Sequence, residues 1–104
     1  MTQHFFSNGG KWIAFRRSPD DRYLFDARGK WIGWFPWDDK DAVDTTGAYL
    51  GSIFGNRFLR KTSAPYRGYP GYPGYPGYPG YPGYPGYAGY AGYVPGTVEV
   101  RLGS

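Results

Sequence analysis

Few side chains in this sequence of 104 residues could carry out chemistry. It contains one histidine, His4, and no cysteine, so His-based triads and the Cys/His sets of structural zinc sites lack their components. Asp26 and Asp44 could supply paired carboxylates, but they hold equivalent places in a repeat, which favours turn capping over glycoside hydrolysis. We therefore predict no enzyme activity, no catalytic residue and no cofactor.

The densest acidic stretch is Asp38-Asp39-Lys40-Asp41, which is followed by Asp44. An EF-hand calcium loop requires a glycine and a terminal glutamate at fixed offsets, and neither is present here. The stretch therefore predicts a solvated turn between strands and no metal site.

The elements that would position these residues form a repeat, in which Gly10, Gly29 and Gly47 follow one another at spacings of 19 and 18 residues. Each glycine opens a similar phrase: Gly-Lys-Trp-Ile-Ala at 10–14, Gly-Lys-Trp-Ile-Gly at 29–33 and Gly-Ala-Tyr-Leu-Gly at 47–51. Asp26 and Asp44 each lie three residues before their glycine. An Asp that accepts backbone amides, followed by a glycine with positive φ, predicts the turn of a β-hairpin.

A unit of about 18 residues cannot bury its own apolar face, so such hairpins must gather around a shared centre. The fold class we predict is all-β, a small rosette or barrel-like module of repeated hairpins. Gly55-Asn56 predicts one further two-residue hairpin loop, and no segment has a helical period. The candidate core is Trp12, Ile13, Trp31, Ile32, Tyr49 and Leu50.

Two known families share these patterns. Phe25-Asp26 and the phrases at 29–35 and 47–51 resemble the four-fold β-flower proteins, small bacterial proteins built of short hairpins, over residues 5–61. That resemblance implies an architecture and supplies no catalytic residues. The Gly-Lys-Trp phrase is also similar to bacterial cell-wall-binding repeats, which bind choline or glycans through denser aromatic runs than Trp34-Phe35-Pro36-Trp37.

Six Gly-Tyr-Pro triplets follow in register at 68–85, and three related triplets end at Val94. Proline at every third position favours polyproline II, with the tyrosines along one edge and the glycines along another, where a second backbone could approach. The alternative is a flexible linker, which Pro/Gly-rich composition commonly produces. The tyrosines we expect to mediate assembly are Tyr69, Tyr72, Tyr75, Tyr78, Tyr81 and Tyr84.

The C-terminal residues 97–102 alternate polar and apolar side chains, as a half-buried strand does. This divides the chain into a hairpin domain at 1–64, a Gly-Tyr-Pro segment at 65–95 and a C-terminal strand at 96–104. A straight segment of this length would reach about 80 Å, well beyond a compact body of this size. The segment must therefore fold back, bundle with copies of itself or reach another subunit.

The function we predict is structural: a self-assembling protein whose Gly-Tyr-Pro segment mediates contacts in a homo-oligomer or filament. The main alternative is a glycan or cell-wall module that stacks ligands on Trp31, Trp34 and Trp37. Single-stranded nucleic-acid binding is a weaker alternative, because the net charge is only +4. No apolar run approaches the roughly 20 residues of a membrane span, and without a signal peptide the default compartment is the cytoplasm, with the cell surface as the alternative.

Overall fold

The computed structural model describes residues 2–100, which form eight β-strands and no helix. The strands are β1 (Gln3–Phe6), β2 (Trp12–Arg16), β3 (Tyr23–Asp26), β4 (Trp31–Trp34), β5 (Asp41–Asp44), β6 (Tyr49–Phe54), β7 (Arg57–Lys61) and β8 (Thr97–Glu99). Within residues 2–100, accordingly, no helix is long and apolar enough to cross a membrane. The predicted all-β class is confirmed.

The first seven strands close into a barrel. Sequential neighbours pair antiparallel, and β1 meets β7 through one parallel bridge between Phe6 and Arg57. At this closure the Phe6 amide donates a hydrogen bond of 2.9 Å to the carbonyl of Asn56. β8 pairs with β7 outside the barrel. Closure and β8 together cover strand edges that would otherwise be open to pairing with another chain.

The register shows that β7 and β8 are a fourth hairpin. In the first three hairpins the residue that opens the turn donates its amide to the carbonyl four residues on, as Asp26 does to Lys30 at 2.8 Å. Thr62 makes the equivalent bond to Gly96 at 2.9 Å, across 34 residues. Residues 65–95, which we call the strap, are therefore an insertion into the turn of the fourth hairpin.

Each of the first three hairpins contains a β-bulge on its second strand. Trp12 pairs with Phe6 and Ala14 with Phe5, which leaves Ile13 as the extra residue. The same shift leaves an extra residue at Ile32 and at Leu50. A bulge places two residues opposite one on the partner strand and bends the strand locally. Because of the bulge, the aromatic residue and the aliphatic residue that follows it lie on opposite faces of the sheet. The residue after these two still faces the interior, as Ala14 does.

Two apolar clusters lie on opposite faces of the sheet. The interior cluster draws on strands all around the barrel and is made of Phe5, Ala14, Leu24, Phe35, Ala42, Ile53 and Phe58, with Ile13, Ile32, Leu50 and Val100 packed against it. The outer cluster is Phe6, Trp12, Phe15 and Phe25, partly covered by Tyr23, Ala27, Trp31 and the strap residue Ala88. The largest fully buried side chains are phenylalanines, which the candidate core of the sequence did not include.

The strap differs from the regular polyproline II segment expected from its triplets. Its glycines have φ between 80° and 93°, whereas polyproline II requires φ near −75° at every residue. Proline and a positive-φ glycine in succession are what type II turns use, so the strap bends at every triplet. It folds back on its own barrel, and residues 2–100 stay within 35 × 33 × 26 Å. Of the predicted C-terminal strand, Arg101 and Leu102 lie outside the described residues.

Gly33 tests how tightly the barrel is filled. A methyl group there would overlap the Val43 carbonyl oxygen and come within 3.2 Å of Leu50, so Gly33→Ala should cost about 1–3 kcal/mol in free energy of unfolding. Gly9→Ala is the matched control, because its nearest neighbour, Ser7 Oγ, would be 3.8 Å away. Urea unfolding of both variants gives the comparison, and equal losses would contradict the packing argument.

Candidate binding surface: the strap and the groove beside it

Three turns at one end of the barrel are built in the same way. Asp26 Oδ1 accepts hydrogen bonds from the amides of Arg28 and Lys30 at 2.8 and 2.9 Å. Asp44 accepts from the amides two and four residues on, at 2.9 and 3.0 Å, and Ser7 Oγ accepts from one such amide at 3.1 Å. Side-chain bonds of this kind fix the turn locally, so all three turns present the same backbone surface.

The strap crosses those turns in reverse chain order. Each turn ends in a positive-φ glycine, with φ of 99°, 85° and 92° at Gly10, Gly29 and Gly47. A side chain on any of them would collide with the strap, since a Cβ would come within 2.6–2.7 Å of it. The facing partners are Tyr69 at Gly47, Tyr78 at Gly29 and Gly89 at Gly10. These glycines therefore serve two purposes, turn geometry and close approach of the strap.

Between the turns, pairs of strap tyrosines hold tryptophans of the barrel. The ring of Trp31 lies 5.7 Å from those of both Tyr72 and Tyr75, at interplanar angles of 62° and 63°. Trp12 lies 5.9 and 6.0 Å from two further tyrosines, Tyr81 and Tyr84. Tilted and edge-to-face pairs at such separations are favourable by about 0.5–1.5 kcal/mol each beyond area burial. We call each of these three-ring groups a clamp.

The clamps recur at nine-residue intervals along the strap. Tyr72 and Tyr81 are nine residues apart, as are Tyr75 and Tyr84. The tyrosine that follows each clamp meets the next turn: Tyr78 contacts Gly29, and the Tyr87 hydroxyl donates to the Gly9 carbonyl. Three triplets therefore match one barrel repeat, so the low-complexity segment is in register with the repeat.

The far end of the strap is held by polar contacts. The amides of Ala88 and Ala91 donate to the carbonyls of Gly10 and Asn8, both at 2.9 Å. The Arg57 guanidinium donates to the carbonyl of Ser7 at 3.1 Å and, on the strap, to that of Gly89 at 2.7 Å. Arg57 therefore connects the barrel closure, the first turn and the strap.

The near end is held by charges. Arg67 Nη1 lies 2.7 Å from Asp39 Oδ2 and 3.0 Å from Asp41 Oδ2, while Lys61 Nζ lies 3.0 Å from Asp41 Oδ1. The same guanidinium sits 4.1 Å from the Trp37 ring centroid. The acidic stretch thus lies next to basic side chains, and it anchors the first residues of the strap.

This network shifts the pKa of Asp41. Burial alone would raise its pKa, but hydrogen bonds from Ser52 Oγ, Lys61 and Arg67 outweigh burial, and the net effect lowers it. The hydrogen bond with Asp41 also raises the pKa of Lys61. Both shifts favour the charged forms of this pair.

The three tryptophans proposed for ligand stacking each already contact the chain itself. Trp31 is flanked by two tyrosines, and Trp37 carries Arg67 on its ring. Trp34 is only 4% exposed and has the Arg22 guanidinium 5.2 Å from its ring, so little of that ring is open to a stacked ligand. Trp34 pairs with Tyr23 as Trp31 pairs with Phe25, so the bulge at Ile32 leaves both tryptophans on the outer face of the sheet, where the Arg22 guanidinium lies against Trp34.

One groove remains open beside the strap. It has a volume of about 340 Å³ and lies between the third hairpin and the first strap residues. Its walls are mainly apolar, with Asp41, Lys61 and Arg67 at its polar side. The residues that line it include Trp37, Ala48, Tyr49, Ala64, Pro65 and Tyr66. A cavity of about 300–1,000 Å³ is the usual size of a ligand pocket.

Residues 2–100 contain no group of three or more His, Asp or Glu side chains placed to hold a metal ion. His4 packs edge-on against Trp12, with ring centroids 5.4 Å apart. Searches of protein-family models, curated proteins and solved structures found no match to this chain. The repeated hairpin module is therefore established by its own geometry, and the β-flower family stays a prediction.

Sequence reasoning gave neither Arg57 nor Thr62 a role in holding the strap, and the strap depends on both. Arg57 contacts carbonyls that are far away in the chain, and no local pattern indicates such contacts. The fourth hairpin does have a signal, because Gly96 is followed by a strand as Gly10, Gly29 and Gly47 are. The inserted strap separates Gly96 and β8 from β7, so the spacing of 18 or 19 residues that marks the other hairpins is absent from the sequence here.

We expect Asp41→Asn to weaken the fold at neutral pH and to matter less in acid. The lowered pKa of Asp41 means that its stabilising effect is present above the unfolded value of about 3.9 and is lost as pH falls through the folded value. Urea midpoints of wild type and variant should therefore converge between pH 7 and pH 2. Asp20→Asn, at an exposed carboxylate, is the control, and a gap that stays constant with pH would refute the assignment.

The clamp on Trp31 predicts a fluorescence change. Tyr72→Ala combined with Tyr75→Ala removes both flanking rings, so Trp31 should become more accessible to acrylamide and its emission should move to longer wavelength. Tyr90→Ala combined with Tyr93→Ala removes two somewhat more exposed tyrosines, neither of which pairs with a tryptophan ring in the described chain, and should leave quenching unchanged. Identical quenching in the two double variants would show that the clamp does not form in solution.

Proposed function

We propose that this protein is a non-catalytic structural module that self-assembles through its strap. The observation that supports this proposal is a belt of tyrosines on the outside of the barrel. Ten of them are between 60% and 86% exposed: Tyr66, Tyr69, Tyr72, Tyr75, Tyr78, Tyr81, Tyr84, Tyr87, Tyr90 and Tyr93. Exposed aromatic area of this extent is characteristic of interaction surfaces.

The belt suits association because its tyrosines are mounted on a fixed path. A tyrosine offers a large amphipathic surface at a low cost in conformational entropy, since it has only two side-chain torsions. The clamps and turn contacts fix the strap at nine-residue intervals, which lowers the further entropy cost of ordering it on binding. Contacts between belts of neighbouring copies would bury the rings that each copy leaves in water.

The alternatives have less support from the contacts. Glycan stacking on Trp31, Trp34 and Trp37 would require free ring faces, and each of these rings already packs against a tyrosine or an arginine. Nucleic-acid binding would require available cations. Arg57 is engaged with carbonyl oxygens and Lys61 and Arg67 with carboxylates, in keeping with the modest net charge of +4.

A loop replacement tests the proposal. Because Thr62 and Gly96 are paired like the ends of an ordinary turn, residues 62–96 can be replaced by the five residues found at 26–30, which keeps β8. We expect the wild-type protein to form oligomers whose mass rises with concentration in analytical ultracentrifugation. The replaced protein should fold, by circular dichroism, and sediment as a monomer.

The control addresses the tryptophans that the replacement uncovers. Trp12→Thr and Trp31→Thr are added to the replaced protein. Threonine is chosen because Thr97 holds the equivalent position in the fourth hairpin. Association that persists in the replaced protein but vanishes with these two changes would come from the uncovered rings. Association that persists in both would refute assembly through the strap.

A further inference from the structure

The strap leaves one equivalent position of the barrel without its tyrosine pair. Tyr49 in the third hairpin is equivalent to Trp12 in the first and Trp31 in the second. Each of these three residues pairs with the residue just before the turn of its hairpin. Counting nine residues back from Tyr72 and Tyr75 gives Ser63 and Tyr66. One ring of the expected pair is therefore missing, and the other is 86% exposed.

The groove lies at this position. Tyr49 lines it, and its hydroxyl is held by Ser52 Oγ at 2.8 Å and by the Lys61 amide at 3.0 Å. The Arg60 guanidinium lies 5.0 Å from the centroid of the Tyr49 ring and also lines the groove. The Tyr49 ring is therefore fixed, as the tryptophan rings are by their own indole bonds to main-chain carbonyls. Pro65 and Tyr66 of the strap also line the groove.

The groove is continuous with the surface that already binds the strap. Gly47 lines the groove, and the same residue lies under Tyr69 and Pro70 of the strap. The barrel therefore binds tyrosine and proline of this chain up to the edge of the groove and leaves the next space open.

We infer that this groove is the docking site for an exposed strap tyrosine, with its proline, from a second copy of this chain. The ring would enter between Tyr49 and Pro65 and complete a third clamp. Its hydroxyl would reach the polar side of the groove, where the Asp41 carboxylate can accept a further hydrogen bond. This inference rests on the proposed self-assembly and identifies the surface that would receive the belt.

The proposal also determines the kind of assembly. The groove and the entering tyrosine are different features of the surface, so the contact joins two different patches. Such head-to-tail contacts produce an open filament, or a ring if the rotation between copies closes.

Blocking the groove tests the inference in the full chain. Ala64→Trp places an indole in the groove from the strap side, and Ala48→Trp does so from the barrel side. Ala91→Trp is the matched control, since Ala91 is an exposed strap residue outside the groove that binds Asn8 only through its backbone amide. Sedimentation equilibrium should show association weakened about tenfold or more in both groove variants and unchanged in the control.

The outcomes separate this inference from the proposed function. Wild-type protein that is monomeric at every concentration would overturn both. Wild-type association that both folded groove variants retain would overturn the docking site and leave strap-mediated assembly standing. A soluble N-acetylglucosamine oligomer could bind the wild type and fail to bind the groove variants. If the association of those variants were also unchanged, the groove would be assigned to a glycan and the inference would be overturned. The second groove variant decides the question if the first one fails to fold.

Discussion

The hydrogen bond between the Thr62 amide and the Gly96 carbonyl is the constraint on which the arrangement of the strap depends. It makes the Gly-Tyr-Pro segment a loop that is held at both ends. The triplets therefore have fewer conformations to lose when they become ordered. Loop-closure entropy grows only slowly with length, by about 0.6 kcal/mol for each doubling, so a long insertion in one hairpin is tolerable. The clamps and the contacts of Arg57 and Arg67 then supply the interactions that hold the loop against the barrel.

The agreement of two periods explains how so repetitive a segment can have a defined position. The barrel presents a turn and an aromatic ring every 18 or 19 residues of its own chain, and the strap presents the matching set every nine residues. Because six triplets are identical, a shift by one triplet would place an equivalent tyrosine on each partner, so the register is set by the contacts at the two ends of the strap, those of Arg67 with Asp39 and of Arg57 with the Gly89 carbonyl. This differs from the usual behaviour of Pro/Gly-rich segments, which have no partner surface with a matching period.

Aromatic residues are divided by type between the inside and the outside of the molecule. Phenylalanines are the buried rings, both inside the barrel and in the outer cluster, because they have no polar atom to satisfy. Tyrosines form the belt because the hydroxyl can stay in water or reach a carbonyl, as that of Tyr87 does with Gly9. The tryptophans lie between the two layers and bond their own strand, Trp12 to the Ala14 carbonyl and Trp31 to the Gly33 carbonyl. The proposed assembly would use only the outermost layer.

The sequence by itself determined the parts of this protein that are local. The hairpin turns and the all-β class follow from glycines, aspartates and aromatics at fixed spacing, because turn chemistry acts within five residues. Only the tertiary structure decided which rings are buried, because bulges at Ile13, Ile32 and Leu50 change the face that each strand residue occupies. The path of the strap was decided there too, since it depends on pairing across 34 residues and on barrel surfaces that no single segment contains.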